Sequence, residues 1–368
     1  MSTPQPPPHT PDDGESRRVR LTDVARRAGV SPTAASFVLT GRREEMRISE
    51  AVASRVLQAA RETGYRPNIV SRSLRTGRTH TIGFISDTVA TTRFAGNLIR
   101  GALEAARDRD HLLLIAETEG DPTLERELLE AMIDRQVDGI VLASMYTRKL
   151  AVPEVLGSQR VVLLNAIPAR PAPLISVVPD ELGAGRAAAN VLLSAGHRKG
   201  IYLVGVGLRG SDRPKPRSAL AAVERLHGIE TSLASAGVRP AGAVGCEDWE
   251  PEFGYETIRK LLDGGSNVKA LICFNDRLAI GAYNALNDFG LEIPADVSVV
   301  SFDDDPIASW IRPKLTTIAI PHYELGRRSV EALLAAEGPE ELERASSAGV
   351  VVRVPMPLRE RASVQQAT

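Results

Sequence analysis

The chain has 368 residues, 43% of them apolar, 25% charged and 4% aromatic, with a net charge of −1. That length spans two or three domains, and no apolar run approaches the roughly 20 residues of a membrane span. The two cysteines, Cys246 and Cys273, form neither a disulfide framework nor a metal-binding spacing, and the N-terminal residues do not read as an export signal, which points to the cytoplasm.

The charge is unevenly spread. Residues 17–80 hold fourteen arginines, no lysine and five carboxylates, a balance of +9 that leaves −10 for the remainder. A basic head on an acidic body is the electrostatic footprint of a DNA-binding module joined to a second function.

In chain order, residues 1–18 are rich in Pro, Ser, Thr and Asp and read as a disordered tail. Helical patterns follow at 22–28, 32–39 and 50–63, inside a small domain placed at 19–66. Thr22 is expected to cap the first helix, with Leu21, Val24, Ala25 and Ala28 on its apolar face. Gly29 supplies a tight turn, Ser31 caps the second helix and Pro32 takes its first position, where a missing N–H costs nothing. This is the pattern of a helix-turn-helix, whose second helix enters the DNA major groove. Ser49 caps the third helix, with Val52, Val56, Leu57 and Ala60 as its expected buried stripe. Residues 67–79 predict a helix of about two turns from Pro67 to Gly77, too short to hold alone in water.

From residue 80 to 362 strands and helices alternate. Strand runs are expected at Thr81–Ile85, Leu112–Ala116, Gly139–Ala143, Val161–Leu164, Leu174–Val178, Ile201–Val204, Ala270–Cys273 and Val297–Phe302. Helical patterns fall near 96–107, 123–135, 181–195, 218–236, 252–262 and 277–289. Repeated βα alternation over this length predicts an α/β core of two parallel-sheet lobes, with a cleft at the carboxyl ends of the strands. Residues 363–368 read as a tail without leucine heptads. Gly205-Val206-Gly207-Leu208-Arg209-Gly210 spells G-x-G-x-x-G, but Pro214 and Pro216 interrupt the helix a dinucleotide site needs, so it reads as a loop at the cleft mouth.

The stretches DVARRAGVS, GYRPNIVSRSLRTGRTHTIGFI, FNDRLAIGAYNAL and VSVVSFDD…LTTI stand in that order within residues 19–362. In sequence and spacing they resemble the LacI/GalR family of transcription regulators. The resemblance implies a small all-α helix-turn-helix head on a periplasmic-binding-protein-like core. It also implies a homodimer on a pseudo-palindromic operator, answering to a small-molecule effector in the cleft.

Mapped onto this sequence, the family's base-reading positions fall on Pro32, Thr33 and Phe37, while Thr22, Ser31, Ser36, Thr40 and Arg42 are further candidates for contacts to bases or phosphates. The chain departs from the usual pattern at Pro32, which has no donor, and at Phe37, which can touch a thymine methyl or join the head's own core. In the hinge, Asn68, Ser71, Arg72, Leu74 and Arg75 match the minor-groove positions, with Leu74 as the apolar wedge between base pairs. The resemblance implies Arg225, Trp249, Asn275 and Asp303 as effector residues, and Asp87 after the first core strand, His322 near the expected cleft and Asn165 are further candidates. Asp276, Asp304 and Asp305 read instead as helix caps or hinge polar groups. Ala143, Ile320 and Pro168 stand where sugar-responding members carry amides or an acid, which suggests a smaller or less hydroxylated ligand.

Two other classes compete with a ligand-controlled repressor. A bare solute-binding protein of the same two-lobed fold lacks the basic head. An enzyme needs a nucleophile elbow, phosphate loop or triad, and His9, His80, His111, His197, His227 and His322 are scattered without catalytic partners. No cofactor, metal or catalytic group is expected.

Overall fold

The computed structural model describes residues 19–65, 77–89, 95–157, 159–206, 220–335 and 349–366. The expected tail at 1–18 and most of the expected hinge, including Asn68, Ser71, Arg72, Leu74 and Arg75, lie outside the described residues. Two compact units divide at Thr79 and His80.

In the first unit, α1 (Leu21–Ala28) begins one residue before Thr22. Asp23, not Thr22, closes its start by accepting the Arg20 N–H at 2.9 Å. A carboxylate in the first turn also faces the positive end of the helix dipole, an advantage a hydroxyl lacks. Gly29 at φ 67° ends α1, and Val30 N–H returns to the Ala25 carbonyl at 3.0 Å. That left-handed turn strains any side chain larger than hydrogen. α2 (Pro32–Leu39) is capped by Ser31, whose Oγ accepts from Ala34 N–H at 3.1 Å. Ser49 caps α3 (Glu50–Thr63) through Val52 N–H at 3.4 Å.

The small core beneath these helices is mostly alanine, with Val24, Val38 and Val56 as its larger members. Leu57 is not in it. The α3 stripe runs through Ala53, Val56, Ala59 and Ala60, which turns Leu57 outward to 44% exposure and leaves Val52 half-buried. An exposed pair, Arg27–Glu62 at 2.9 Å, spans α1 and α3.

The second unit holds two six-stranded sheets among the described residues. The first runs β11-β5-β4-β3-β1-β2, all parallel, from β1 (Thr81–Ser86), β2 (Leu112–Glu117), β3 (Gly139–Leu150), β4 (Val161–Pro168), β5 (Ile175–Pro179) and β11 (Val350–Val354). The second runs β12-β10-β9-β8-β6-β7, from β6 (Ile201–Gly205), β7 (Gly242–Gly245), β8 (Ala270–Cys273), β9 (Ser298–Asp303), β10 (Thr316–Ala319) and β12 (Leu358–Arg359). Only β12 pairs antiparallel.

Helices α4 (Ala95–Arg107), α5 (Pro122–Asp134) and α11 (His322–Ala335) cover the first sheet. Helices α6 (Glu181–Ser194), α7 (Leu220–Ser235), α8 (Pro251–Asp263), α9 (Asp276–Asp288) and the short α10 (Pro306–Trp310) belong to the second. The chain therefore crosses between lobes after β5, after β10 and after β11. Among the described residues no helix is long and apolar enough to cross a membrane.

Residues 363–366, expected as part of a tail, are held against the second sheet. Ser363 is fully buried; its Oγ donates to the Val299 carbonyl at 2.6 Å and accepts from Thr316 N–H at 2.8 Å. Gln365 N–H reaches Ser298 Oγ at 3.3 Å, so the segment is stitched to the starts of β9 and β10. A hydroxyl that both donates and accepts completes two backbone groups that the strand ends leave over.

Candidate functional site

On the head, Pro32 and Thr33 are exposed at the start of α2, and Ser36 is half-exposed one turn on. Ser31 spends its oxygen on the cap, and Thr40 donates its hydroxyl to the Ser36 carbonyl at 2.8 Å. Thr22 is exposed on α1. Phe37 does not enter the head's core: it is half-exposed, with the Arg42 guanidinium 5.2 Å from its ring centre. Arg42 in turn grips Glu45 at 2.5 Å through Nε and Nη2. Pairs this exposed are weak and screened by salt, so a phosphate can displace Glu45 at little cost.

In the second unit a cavity of about 540 Å³ opens between the carboxyl ends of the two sheets. Its first-lobe wall is built by an irregularity in β3. Ala143 pairs with Leu164 and Arg148 with Ala166, so residues 144–147 oppose Asn165 alone. Such an excursion re-aims side chains out of the sheet, and Met145, Tyr146 and Thr147 line the cavity. Asn165 completes this wall at φ 53°, a left-handed conformation that asparagine tolerates.

Asp87 does not line the cavity. Its Oδ1 accepts from Met145 N–H at 2.9 Å, and its Oδ2 pairs with Arg148 at 3.1 Å. It anchors the two ends of the excursion, a task that draws its carboxylate away from the cleft. Ala143 and Pro168 are also absent from the lining, whereas Ile320 is part of it.

The second-lobe wall centres on Arg225, which is 3% exposed. Its Nε and Nη2 meet the two Glu181 oxygens at 2.5 and 3.1 Å, and Nη1 donates to the Phe274 carbonyl at 2.7 Å. Asp303 stands 3.6 Å from Nη2, and the Phe302 ring lies 4.6 Å from the guanidinium carbon. The pairing depends on how closely α6 and α7 cross. A methyl at Gly185 would collide with the Arg225 carbonyl oxygen, and one at Gly228 with the Leu182 carbonyl. The planar fork is thus held by four groups before any ligand arrives.

Asn275 is similarly committed. Its Oδ1 caps α9 at Leu278 N–H (2.8 Å), and its Nδ2 donates to the Trp249 carbonyl at 3.0 Å. Trp249 donates Nε1–H to the Gly205 carbonyl at 3.1 Å and meets Phe274 edge-on, which fixes its ring in the cavity wall. Residues Gly207–Gly210 lie outside the described residues.

Burial pushes the Asp303 carboxyl up to about 6, against the pull of Arg225 and helped by the Glu181 charge. Burial likewise takes Asp276 up to about 7, despite bonds from the Ser301 and Thr317 hydroxyls and the Asp305 N–H. His322 lines the cavity, and burial drives it down to about 4, so the ring is neutral at pH 7. Asp305 caps α10 through Ile307 N–H at 3.2 Å, as its sequence position suggests, while Asp304 pairs with Arg359 and Arg361. Asp276 is no cap but a fully buried acceptor that ties the Ser301 and Thr317 hydroxyls to the Asp305 N–H.

Polar lining residues that the sequence did not single out are Tyr146, Thr147, Glu181, Glu247 and Arg277. Glu181 follows Asp180 at a helix start and reads as ordinary first-turn charge; only the fold brings Arg225, 44 residues on, against it. Among the described residues no group of three His, Cys, Asp or Glu side chains is placed to hold a metal.

A capped helix-turn-helix head and a two-lobed core with a polar cleft together define a ligand-responsive DNA-binding regulator. The chain belongs to the LacI family. Residues 20–68 match the bacterial regulatory proteins of the lacI family, and residues 189–364 match the periplasmic binding protein-like domain. The HTH-type transcriptional regulator RegA of Clostridium saccharobutylicum is 31% identical over 324 residues, covering 88% of this chain and 94% of that protein. The ribose operon repressor of Escherichia coli K12 is 31% identical over 319 residues, 85% of this chain and 92% of the relative. Among solved structures, the lac repressor dimer bound to operator and the anti-inducer ONPF superposes with a TM-score of 0.73 at 23% identity, over 95% of this chain and all of that one. The regulator CelR in complex with cellobiose gives a TM-score of 0.63 at 25% identity, over 94% and 100% of the two chains. The protein is a sequence-specific DNA-binding transcription regulator with an effector-binding core.

Proposed function

We propose that the chain is a homodimeric repressor whose operator affinity is set by a sugar or related metabolite in the cleft between its lobes. The observation that carries this reading is the cavity of about 540 Å³, a volume suited to a small metabolite, at the carboxyl ends of both sheets. The lobes are joined by three crossovers, so a ligand touching both walls can change their mutual angle. It acts only through its different affinity for the two lobe arrangements. The assigned hinge, residues 67–79, carries that change to the heads, where Thr22, Thr33, Ser36, Phe37 and Arg42 face DNA. Asn68, Ser71, Arg72, Leu74 and Arg75 take the minor groove, with Leu74 wedged at the operator centre.

The relatives named ribose operon repressor and the cellobiose-bound neighbour favour a sugar. Fluorescence anisotropy of the full chain on its own promoter DNA, repeated with pentoses, hexoses and nucleobases, tests the proposal. The expected result is one compound that raises the melting temperature and shifts DNA affinity by about tenfold or more. A compound that raises the melting temperature and leaves DNA affinity untouched overturns the coupling.

A further inference from the structure

The cleft's two walls differ in what they still lack. Among the described lining residues, Thr147 Oγ1 and Asn165 Oδ1 are buried polar atoms with no hydrogen-bond partner, on residues 2% and 5% exposed. Buried acceptors are rarely left so unless something else completes them. Both belong to the first-lobe wall, and both oxygens can accept a proton donor from a ligand.

The charge of the lining points the same way. Its carboxylates are Glu181, Glu247, Asp248 and Asp303, against two arginines. Arg225 is already gripped by Glu181 and faces Asp303, while Arg277 pairs with Glu250. An anionic ligand therefore meets no arginine in the described lining that is not already turned to a carboxylate. It must instead approach Asp303 and the rim carboxylates Glu247 and Asp248. A cation meets the reverse: the rim carboxylates Glu247 and Asp248, Asp303 shared with Arg225, and the Trp249 and Tyr146 rings for a cation–π contact.

Resting on the effector reading above, we infer that the effector carries a protonated amine on a hydroxylated frame. The ammonium is held at Asp303, and the frame's donors reach Asn165 and Thr147. In the described lining the same carboxylates disfavour sugar phosphates and sugar acids. Within the described lining the selection is by charge, because both arginines there are occupied and carboxylates outnumber them.

The test is a calorimetric and thermal-shift comparison on the full chain near pH 7, with matched sets on one frame. One set is D-glucosamine, D-glucose, D-gluconate and D-glucose 6-phosphate; the galacto and manno sets follow the same scheme. In any set that binds, the amine is expected to bind tightest, by roughly tenfold over its neutral partner. Asp303→Asn should bring the roughly tenfold amine-over-neutral ratio down to about one, whatever it does to the affinity of the set as a whole. Thr147→Val, on the opposite wall, should weaken amine and neutral members alike. Asn165→Asp, which tolerates the same left-handed backbone, should widen the preference. A neutral or anionic member binding as tightly as its amine overturns the inference and leaves the effector reading standing. So does a preference untouched by Asp303→Asn in a protein with unchanged circular dichroism. Silence of every set in all charge classes, with DNA binding intact, overturns the inference together with the sugar assignment on which it rests.

Discussion

The two walls of the cleft are built on opposite terms. The second-lobe wall is complete before ligand: Arg225, Asn275 and Trp249 each spend their polar atoms on carboxylate or backbone partners. The first-lobe wall is unfinished, with Asn165 and Thr147 presenting buried oxygens without partners. Two asparagines show the contrast most directly. Asn275 begins a helix, and its amide is absorbed by the cap. Asn165 sits at a left-handed kink opposite a strand excursion, and its oxygen has no partner among the described residues. A rigid wall and an expectant one suit a sensor: the first fixes where the ligand sits, and the second supplies contacts that form only when ligand is present.

The largest way to break the contrast is at Arg225. Arg225→Ala strands the Glu181 carboxylate in a dry site, and one-sided removal of a buried pair costs about 3–5 kcal/mol. Urea unfolding should show that loss, and the paired replacement Arg225→Met with Glu181→Leu should recover most of it. A loss under about 1 kcal/mol for the single change would mean that water reaches Glu181 and the wall is not pre-built. Loss of effector response in Arg225→Ala alone is therefore no proof of direct contact.

Beneath the same wall, Asp276 holds its proton more tightly folded than unfolded, at about 7 against a reference of 3.8. Between those values the folded state carries the extra proton, so stability falls as pH rises through the window and levels off above it. Asp276→Asn should flatten the curve of unfolding free energy from about pH 4 to about pH 7. The Ser301 and Thr317 hydroxyls can turn to serve an amide. A curve of unchanged slope would place the titrating group elsewhere. The head offers a local yardstick between these and the smallest effect. Ser31→Ala removes one cap bond and should cost about 1 kcal/mol in the melting of the head. No measurable change would mean that tertiary packing, not the cap, sets where α2 begins.

How much of this was legible depended on whether a signal was local. The helices at 32–39 and 50–63 match the structure residue for residue, because Ser31, Pro32 and Ser49 mark their starts within one turn. β7 and β10 escaped, being four residues each and glycine- or threonine-rich, too short for an alternation to declare itself. Leu57 was misplaced because an apolar residue one position off the stripe looks the same in a sequence. Asp87 was misassigned since a strand end near a cleft says nothing of which way a carboxylate turns. Thr147 and Glu181 were invisible: one depends on a register shift in β3, the other on a partner 44 residues away. The resemblance supplied Arg225, whose burial and pairing only the fold reveals.

The smallest expected effect sharpens the comparison most, because its sign differs from that of the others. Thr147→Val replaces a buried hydroxyl that has no partner with a methyl of nearly the same shape. Removing a satisfied hydroxyl costs about 1 kcal/mol; removing an unsatisfied one returns its desolvation penalty. The free protein should therefore be unchanged or more stable, within about 0.5 kcal/mol of neutral or above it. The same substitution should reduce the melting-temperature rise produced by a bound effector, since the methyl cannot accept a donor. Stability and response then move in opposite directions at Thr147 and in the same direction at Arg225. A Thr147→Val protein destabilised by more than 1 kcal/mol would show that the hydroxyl is satisfied without ligand, and the two walls would no longer differ in kind.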